Sequence, residues 1–147
     1  MVAVREAEVV WNGVLATGSG VVSATKSKTF SELPVSWASR TESADGRTSP
    51  EELLAAAHAS CYAMALSAGL GQAGTPPHQL QVGAKVTFDQ VDGGFKVVSS
   101  ALTVRGRVPD ADEAAFRQAA EAAKDGCPIS QALKGNVELS VDATLAG

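Results

Sequence analysis

The chain has 147 residues, 45% apolar and 19% charged, with a formal net charge of −4. That suits one domain burying roughly 70% of its unfolded surface in a single core, and it excludes a disordered chain. Aromatic residues make up 5%, and no Lys/Arg run is interleaved with them, so nothing supports a nucleic-acid partner.

Glu6 and Glu8 interrupt the N-terminal stretch where a signal peptide needs continuous apolar residues. No run approaches the 18 apolar residues of a membrane span, so the expected setting is cytoplasmic. Residues 4–11 carry Val4, Val9, Val10 and Trp11 and lead into Asn12-Gly13, a strong hairpin signal. Val14-Leu15-Ala16 runs into Gly18-Ser19-Gly20, and Val21-Val22-Ser23 resumes a strand. Phe30 to Trp37 predicts a third extended piece, with Pro34 pushing it to an edge. The first 40 residues thus predict an antiparallel meander, followed by a polar loop over 41–48.

Ser49-Pro50-Glu51-Glu52 opens a helix. Ser49 caps it, Pro50 takes the first position, where its missing N–H is no loss, and Glu52 completes a capping box. The helix is predicted to run to about Leu70 and to stop at Gly69 or Gly71. From Leu53 to Leu70 only His58, Ser60 and Ser67 are clearly polar. A helix apolar nearly all round belongs in the interior, and its many alanines let neighbours approach closely. After a loop containing Pro76-Pro77, Val82 to Phe88 alternates as a strand, Asp92-Gly93-Gly94 turns the chain, and Phe95 to Val108 forms a second strand. Asp110-Ala111-Asp112-Glu113 opens a helix to about Lys124, and Cys127-Pro128 begins a short one through about Lys134. Val137, Leu139, Val141, Ala143 and Leu145 alternate with polar residues as a strand with one buried face. The order predicts an α+β fold with residues 1–147 as a single domain.

Cys61 and Cys127 are the two cysteines of the chain. In the expected compartment a permanent disulfide is not favoured but a transient catalytic one is allowed, and two cysteines are too few for a secreted disulfide framework. Each is placed by a helix, which suggests a dithiol redox centre more readily than a staple. Cys61, within an apolar helix, is either inert packing or a reactive thiol whose burial a cation must offset. Cys127, at a helix start, is either a small cap substitute or a thiolate favoured by unsatisfied N–H groups. Local chemistry makes Cys127 the easier thiolate without saying which cysteine attacks. Glu51, left over by the capping box, either complements the helix dipole or anchors a cation, for which Arg40 is the candidate. His58 lies three residues before Cys61 on the same helix face. A His58–Cys61 pair and a zinc site with Cys127 and His78 are both conceivable, although no C-x-x-C or H-x-x-x-H spacing is present and no metal is expected. Gly18-Ser19-Gly20 is neither a dinucleotide fingerprint nor a P-loop.

Together these residues resemble the OsmC/Ohr family, the osmotically induced and organic-hydroperoxide-resistance proteins. The resemblance covers essentially the whole chain. It is carried by Ser49-Pro50-Glu51-Glu52-Leu53 with His58-Ala59-Ser60-Cys61, by Val91-Asp92-Gly93-Gly94-Phe95, and by Gly126-Cys127-Pro128-Ile129-Ser130-Gln131-Ala132-Leu133. It implies antiparallel sheets around a long buried central helix, an intertwined homodimer with sites at its interface, and a thiol peroxidase that reduces organic hydroperoxides. In that reading Cys61 is the peroxidatic cysteine, Cys127 the resolving one, and Glu51 the carboxylate that orients an activating arginine. The Ohr branch places that arginine in the early glycine-rich loop, yet Ala16-Thr17-Gly18-Ser19-Gly20 contains none. Arg40 matches the arginine that the OsmC branch places just before the central helix, so the departure favours OsmC over Ohr. No cofactor is implied beyond an external thiol or dithiol reductant.

The implied chemistry sets two requirements. Resolution needs the Cys61 and Cys127 α carbons within ~7 Å. Arg40 must also reach Cys61, yet Glu51 and Cys61 stand about 15 Å apart along a straight helix. Either the helix breaks between them or two subunits compose the site. Two other function classes compete: a non-catalytic dimer holding an apolar ligand, and a thiol redox sensor that oxidises quickly but turns over little.

Overall fold

The computed structural model describes residues 1–146, so Gly147, the last residue of the expected domain, lies outside them. The chain divides into two units, Met1–Leu53 and Leu54–Gly147.

In the first unit β1 (Ala7–Asn12), β2 (Ser19–Ala24) and β3 (Leu33–Val35) form an antiparallel sheet in that order. The expected meander is therefore present. Asn12-Gly13 does mark the β1–β2 turn, but the turn is longer than a two-residue hairpin: the Gly18 N–H returns to the Val14 carbonyl at 2.7 Å. A Cβ on Gly18 would sit 2.6 Å from the Asn12 carbonyl oxygen, so this closure requires glycine. β1 is exposed along its whole length, including Val9, Val10 and Trp11.

Where extended chain passing into loop was expected, a one-turn helix α1 (Trp37–Thr41) forms. Ser36 and Ser39 make its capping box, each backbone N–H donating to the other's Oγ at 3.0 Å. Ser39 replaces the usual Glu or Gln of that motif, which hides the helix start from a pattern search.

Helix α2 (Pro50–Gln72) begins where the sequence predicts, with the Glu52 N–H donating to Ser49 Oγ at 3.1 Å. The Glu52 carboxylate accepts from the Thr48 hydroxyl at 2.7 Å. The helix runs through Gly69 and Gly71 and stops two residues past Leu70. Its stop signal is Gly74, at φ +81°, with the Thr75 N–H folding back to the Leu70 carbonyl at 2.9 Å.

The second unit holds the rest of α2 and a sheet of β4 (Gln79–Val91), β5 (Gly94–Arg107) and β6 (Glu138–Leu145), in that order. β4 and β5 form the expected hairpin, with Asp92 and Gly93 both at positive φ, as a type I′ turn needs. β6 lies parallel to β5, which demands a crossover, and α3 (Glu113–Gly126) with α4 (Pro128–Leu133) supplies it. α3 is capped by Asp112, whose carboxylate accepts the Ala115 N–H at 2.8 Å, two residues later than the expected start at Asp110.

Tyr62, Leu66 and Leu70 of α2, spaced four apart, pack with Leu102 and Val104 of β5 and with Phe116 and Ala120 of α3. α3 rests closely on β5 because Gly106 has no side chain: a Cβ there would lie 2.6 Å from the Phe116 ring. Within one chain α2 is only partly the buried helix expected, because it covers a single stripe and leaves Met64 at 72% exposure. Its mean hydropathy of 1.4 would fit a membrane span by length and composition. Its Tyr62–Leu66–Leu70 stripe is nevertheless committed to a protein core.

Candidate active site

The predicted residues gather as two pairs, one in each unit. In the first unit, Arg40 sits in the last turn of α1 and Glu51 in the first turn of α2. Arg40 Nε donates to Glu51 Oε1 at 3.0 Å and Oε2 at 3.2 Å, and Nη2 donates to Oε1 at 2.8 Å. This forked contact fixes the plane of the guanidinium as well as its position. The Glu51 side chain is 9% exposed and that of Arg40 30%, so a nearly buried carboxylate anchors a half-buried cation. The Trp37 ring also supports it, with its centroid 6.0 Å from Arg40 Cζ. The Glu51-anchors-a-cation reading is thus realised.

In the second unit, Cys61 and Cys127 are both reduced. Cys127 is the joint between two helices: its N–H closes α3 on the Ala123 carbonyl, and its own carbonyl accepts the first bond of α4 from the Gln131 N–H, both at 2.9 Å. Extended backbone at Cys127 and Pro128 at the next position make the break. Cys127 is fully buried, whereas Cys61 is half-buried. Cys127 belongs to the core cluster against which Cys61 packs, and each sulfur shifts the other's acidity.

Their acidities split. Burial pushes the Cys61 thiol up, and sharing its hydrogen and space with the Cys127 sulfur pushes it further; the Ile129 N–H opposes this without reversing it. Burial also works against ionising Cys127, but the polar hydrogens of the α4 start (Ser130 and Ile129 N–H, the Ser130 hydroxyl) and the Cys61 thiol outweigh it and carry Cys127 below the ordinary thiol value. Cys127 is thus the more acidic thiol of the pair and Cys61 the less acidic one, the direction that its place at a helix start predicts for Cys127. Tyr62, one residue on, stays a neutral phenol: burial, Glu121 and Cys127 all raise it, and its hydroxyl donates to the Ala120 carbonyl at 2.8 Å.

His58 departs from its expected partnerships. It is fully buried, with Nδ1 2.7 Å from Ser100 Oγ and Nε2 2.8 Å from Ser130 Oγ. Both ring nitrogens are committed to serines, which leaves none to form a direct pair with Cys61. Among the described residues no three His, Cys, Asp or Glu side chains gather as a metal site, and His58, Cys127 and His78 do not do so. Sequence reasoning gave Ser100 and Ser130 no role: they lie 42 and 72 residues from His58, and Ser130 entered only as part of the Gly126–Leu133 motif.

A cavity of about 630 Å³ opens between α2 and α3, lined by Ala65, Ala68, Ala119 and Ala122 and reaching Gly126 and Pro128 on either side of Cys127. Alanines dominate its lining, and no leucine, methionine or aromatic side chain takes part.

Known proteins resemble this chain at the level of sequence and of fold. The family model described as OsmC-like protein matches residues 43–142. The peroxiredoxin OsmC of Escherichia coli (strain K12) is 42% identical over 129 residues, covering 88% of this chain and 89% of that protein. An organic hydroperoxide resistance protein of Xanthomonas axonopodis pv. citri (strain 306) is 32% identical over 95 residues, covering 64% of this chain and 65% of that one. The crystal structure of the organic hydroperoxide resistance protein OhrB of Bacillus subtilis superposes with a TM-score of 0.75 at 24% identity, covering 95% of this chain and 98% of its own.

Proposed function

The chain belongs to the OsmC-like family, and from that premise we propose that it is a thiol peroxidase that reduces organic hydroperoxides to alcohols. One observation carries the reading: two reduced cysteines, Cys61 within α2 and Cys127 at the joint of α3 and α4, pack in one core cluster with their acidities shifted in opposite directions. The relatives named peroxiredoxin and organic hydroperoxide resistance protein supply the substrate class.

In the proposed cycle the Cys61 thiolate attacks the peroxide oxygen distal to carbon. An S–O bond forms, the O–O bond breaks, and the alkoxide leaves to take a proton as alcohol; Cys61 is then a sulfenic acid. The Cys127 thiolate attacks that sulfur, the S–S bond forms, and hydroxide leaves to take a proton as water. An external thiol or dithiol, such as a cytoplasmic setting supplies, returns two electrons to the disulfide. No other cofactor enters the cycle.

Because Cys61 is held as a thiol at rest, the first step needs a cation beside it, and Arg40 oriented by Glu51 fills that role. α2 is unbroken from Pro50 to Gln72, which removes the helix break as a way to bring the arginine to Cys61. The proposed site is therefore composed across a homodimer, with Arg40 of the partner subunit activating Cys61. The uncovered apolar face of α2 and the exposed Val9, Val10 and Trp11 of β1 support an assembly of this kind. The alanine-lined cavity beside Cys127 suits an alkyl group better than hydrogen peroxide.

The test is intact mass after one equivalent of an alkyl hydroperoxide. The expected result is loss of two hydrogens in the parent protein and gain of one oxygen in Cys127→Ser. An unchanged mass for freshly reduced protein would overturn the proposal. Steady-state turnover with a dithiol reductant then separates a peroxidase from a sensor, which would oxidise once and stop.

A further inference from the structure

Cys127 is backed by a buried polar chain that the proposed cycle does not use. Ser100 of β5 and His58 of α2 are fully buried, and Ser130 of α4 is 1% exposed. The chain runs from Ser100 Oγ to His58 Nδ1 at 2.7 Å and from His58 Nε2 to Ser130 Oγ at 2.8 Å, and Ser130 is the third residue of α4, whose N-cap is the buried Cys127, so the two side chains are neighbours at the helix start. Three polar side chains in a water-excluded interior must settle their protons among themselves.

Counting those protons fixes the arrangement. Burial holds His58 below its ordinary range, so it is neutral and carries one ring proton. Among the described residues Ser100 Oγ makes its one hydrogen bond to His58. If Nδ1 carried the proton, it would donate to Ser100, and the Ser100 hydroxyl would be a buried donor without an acceptor, a costly state. Ser130 would then have to give its single proton to Nε2 and would have none for sulfur. With the proton on Nε2, every donor has an acceptor: Ser100 donates to Nδ1, Nε2–H donates to Ser130 Oγ, and Ser130 donates to Cys127 Sγ.

We infer that His58 is a positioning residue for Cys127: fixed as the Nε2–H tautomer by Ser100, it occupies the Ser130 oxygen and turns the Ser130 hydroxyl onto the Cys127 sulfur. The hydroxyl then serves the thiolate form, and Cys127 is ready to attack. No proton leaves the chain and no bond is made in it; His58 orients and does not act as a base. The catalytic meaning of this arrangement rests on Cys127 being the resolving nucleophile, but its chemistry does not. Cys61, on α2, is the titratable group that acts on the Cys127 sulfur, and the neutral Tyr62 phenol next to it is raised further by Cys127.

Two measurements that need no peroxide test it. The chain has two histidines, so ¹⁵N NMR of His78→Gln protein reads His58 alone. Nε2 is expected to carry the proton near neutral pH, and a proton on Nδ1 would overturn the inference. In a Cys61→Ser background, thiolate absorbance in the near 240 nm region reports Cys127 against pH. Ser130→Ala should lower the thiolate-to-thiol ratio about tenfold, moving the midpoint up by about one pH unit. Ser100→Ala should move it the same way by less, because the tautomer is released. His58→Gln, which keeps an N–H at the Nε2 position, should hold the midpoint near that of its Cys61→Ser parent. Folded Ser130→Ala protein with an unmoved midpoint would overturn the inference even if it melts earlier, since that outcome marks a merely structural contact. If Ser130→Ala does not fold, the tautomer decides. An unchanged mass with peroxide alongside the expected tautomer would sink the peroxidase reading and leave this one standing.

Discussion

Glu51 grips Arg40 through three contacts of 2.8–3.2 Å, so the guanidinium is already oriented for the role proposed for it. A positioned cation is worth most where charge develops, and small misplacements are expensive. Glu51→Ala should therefore slow oxidation of Cys61 by an alkyl hydroperoxide on the order of 100-fold. Alkylation of Cys127 in the Cys61→Ser background should be unaffected by it. Stopped-flow oxidation and alkylation rates check the two arms, and equal loss in both would mean that Glu51→Ala disturbs the whole protein. Arg40→Lys is no rescue, because an ammonium cannot reproduce the planar fork. At this scale the sequence exposed the residues of the proposed site and hid their supports. Cys61 and Cys127 stand out as the two cysteines and Glu51 as the carboxylate the capping box leaves over, while Arg40 gains its role through the family resemblance. Ser100 and Ser130 are ordinary serines until the fold places a buried imidazole between them.

At the scale of elements, α2 is the most informative. Its sequence is apolar nearly all round, yet one chain supplies contacts for a single stripe, with His58, Tyr62, Leu66 and Leu70 buried while Met64 is 72% exposed. A surface helix would not retain such residues on its outer face without something to cover them. Met64→Glu should leave the monomer's core intact and, under the proposal, convert a dimer into monomers that have lost hydroperoxide turnover. Sedimentation velocity with a parallel activity assay checks this, and an active monomer would remove the need for a composite site. Periodicity and caps made most elements legible: the β4–β5 hairpin, α2 and α3 fall within a few residues of expectation. Where legibility failed, a local rule was bent. α1 hides behind Ser39 in the place of an acidic residue, α3 chooses Asp112 over Asp110 for its cap, and α2 runs through two glycines because its true stop is the positive-φ Gly74.

At the scale of the molecule, the parallel pairing of β6 with β5 could not be read from alternation, which is blind to strand direction. That pairing requires the chain to cross over, and the crossover places Cys127 where α3 hands over to α4. The stretch between the two cysteines thus contains the β4–β5 hairpin and all of α3. Closing it with a Cys61–Cys127 bond would remove about 4 kcal/mol of freedom from the unfolded chain on the loop-entropy account. Oxidised protein should therefore melt several degrees above reduced protein, a difference that calorimetry with and without reductant would register and that Cys127→Ser should abolish.

The joint at Cys127 has a consequence of its own. A residue that ends one helix and starts the next has no slack: its N–H, its carbonyl and its φ, ψ are already committed. Motion toward Cys61 cannot be absorbed by a loop and would have to be shared by α3 and α4 as a small tilt of both. Oxidation at a single sulfur would in that way be written into the orientation of two helices, legible to any reductant that docks on them.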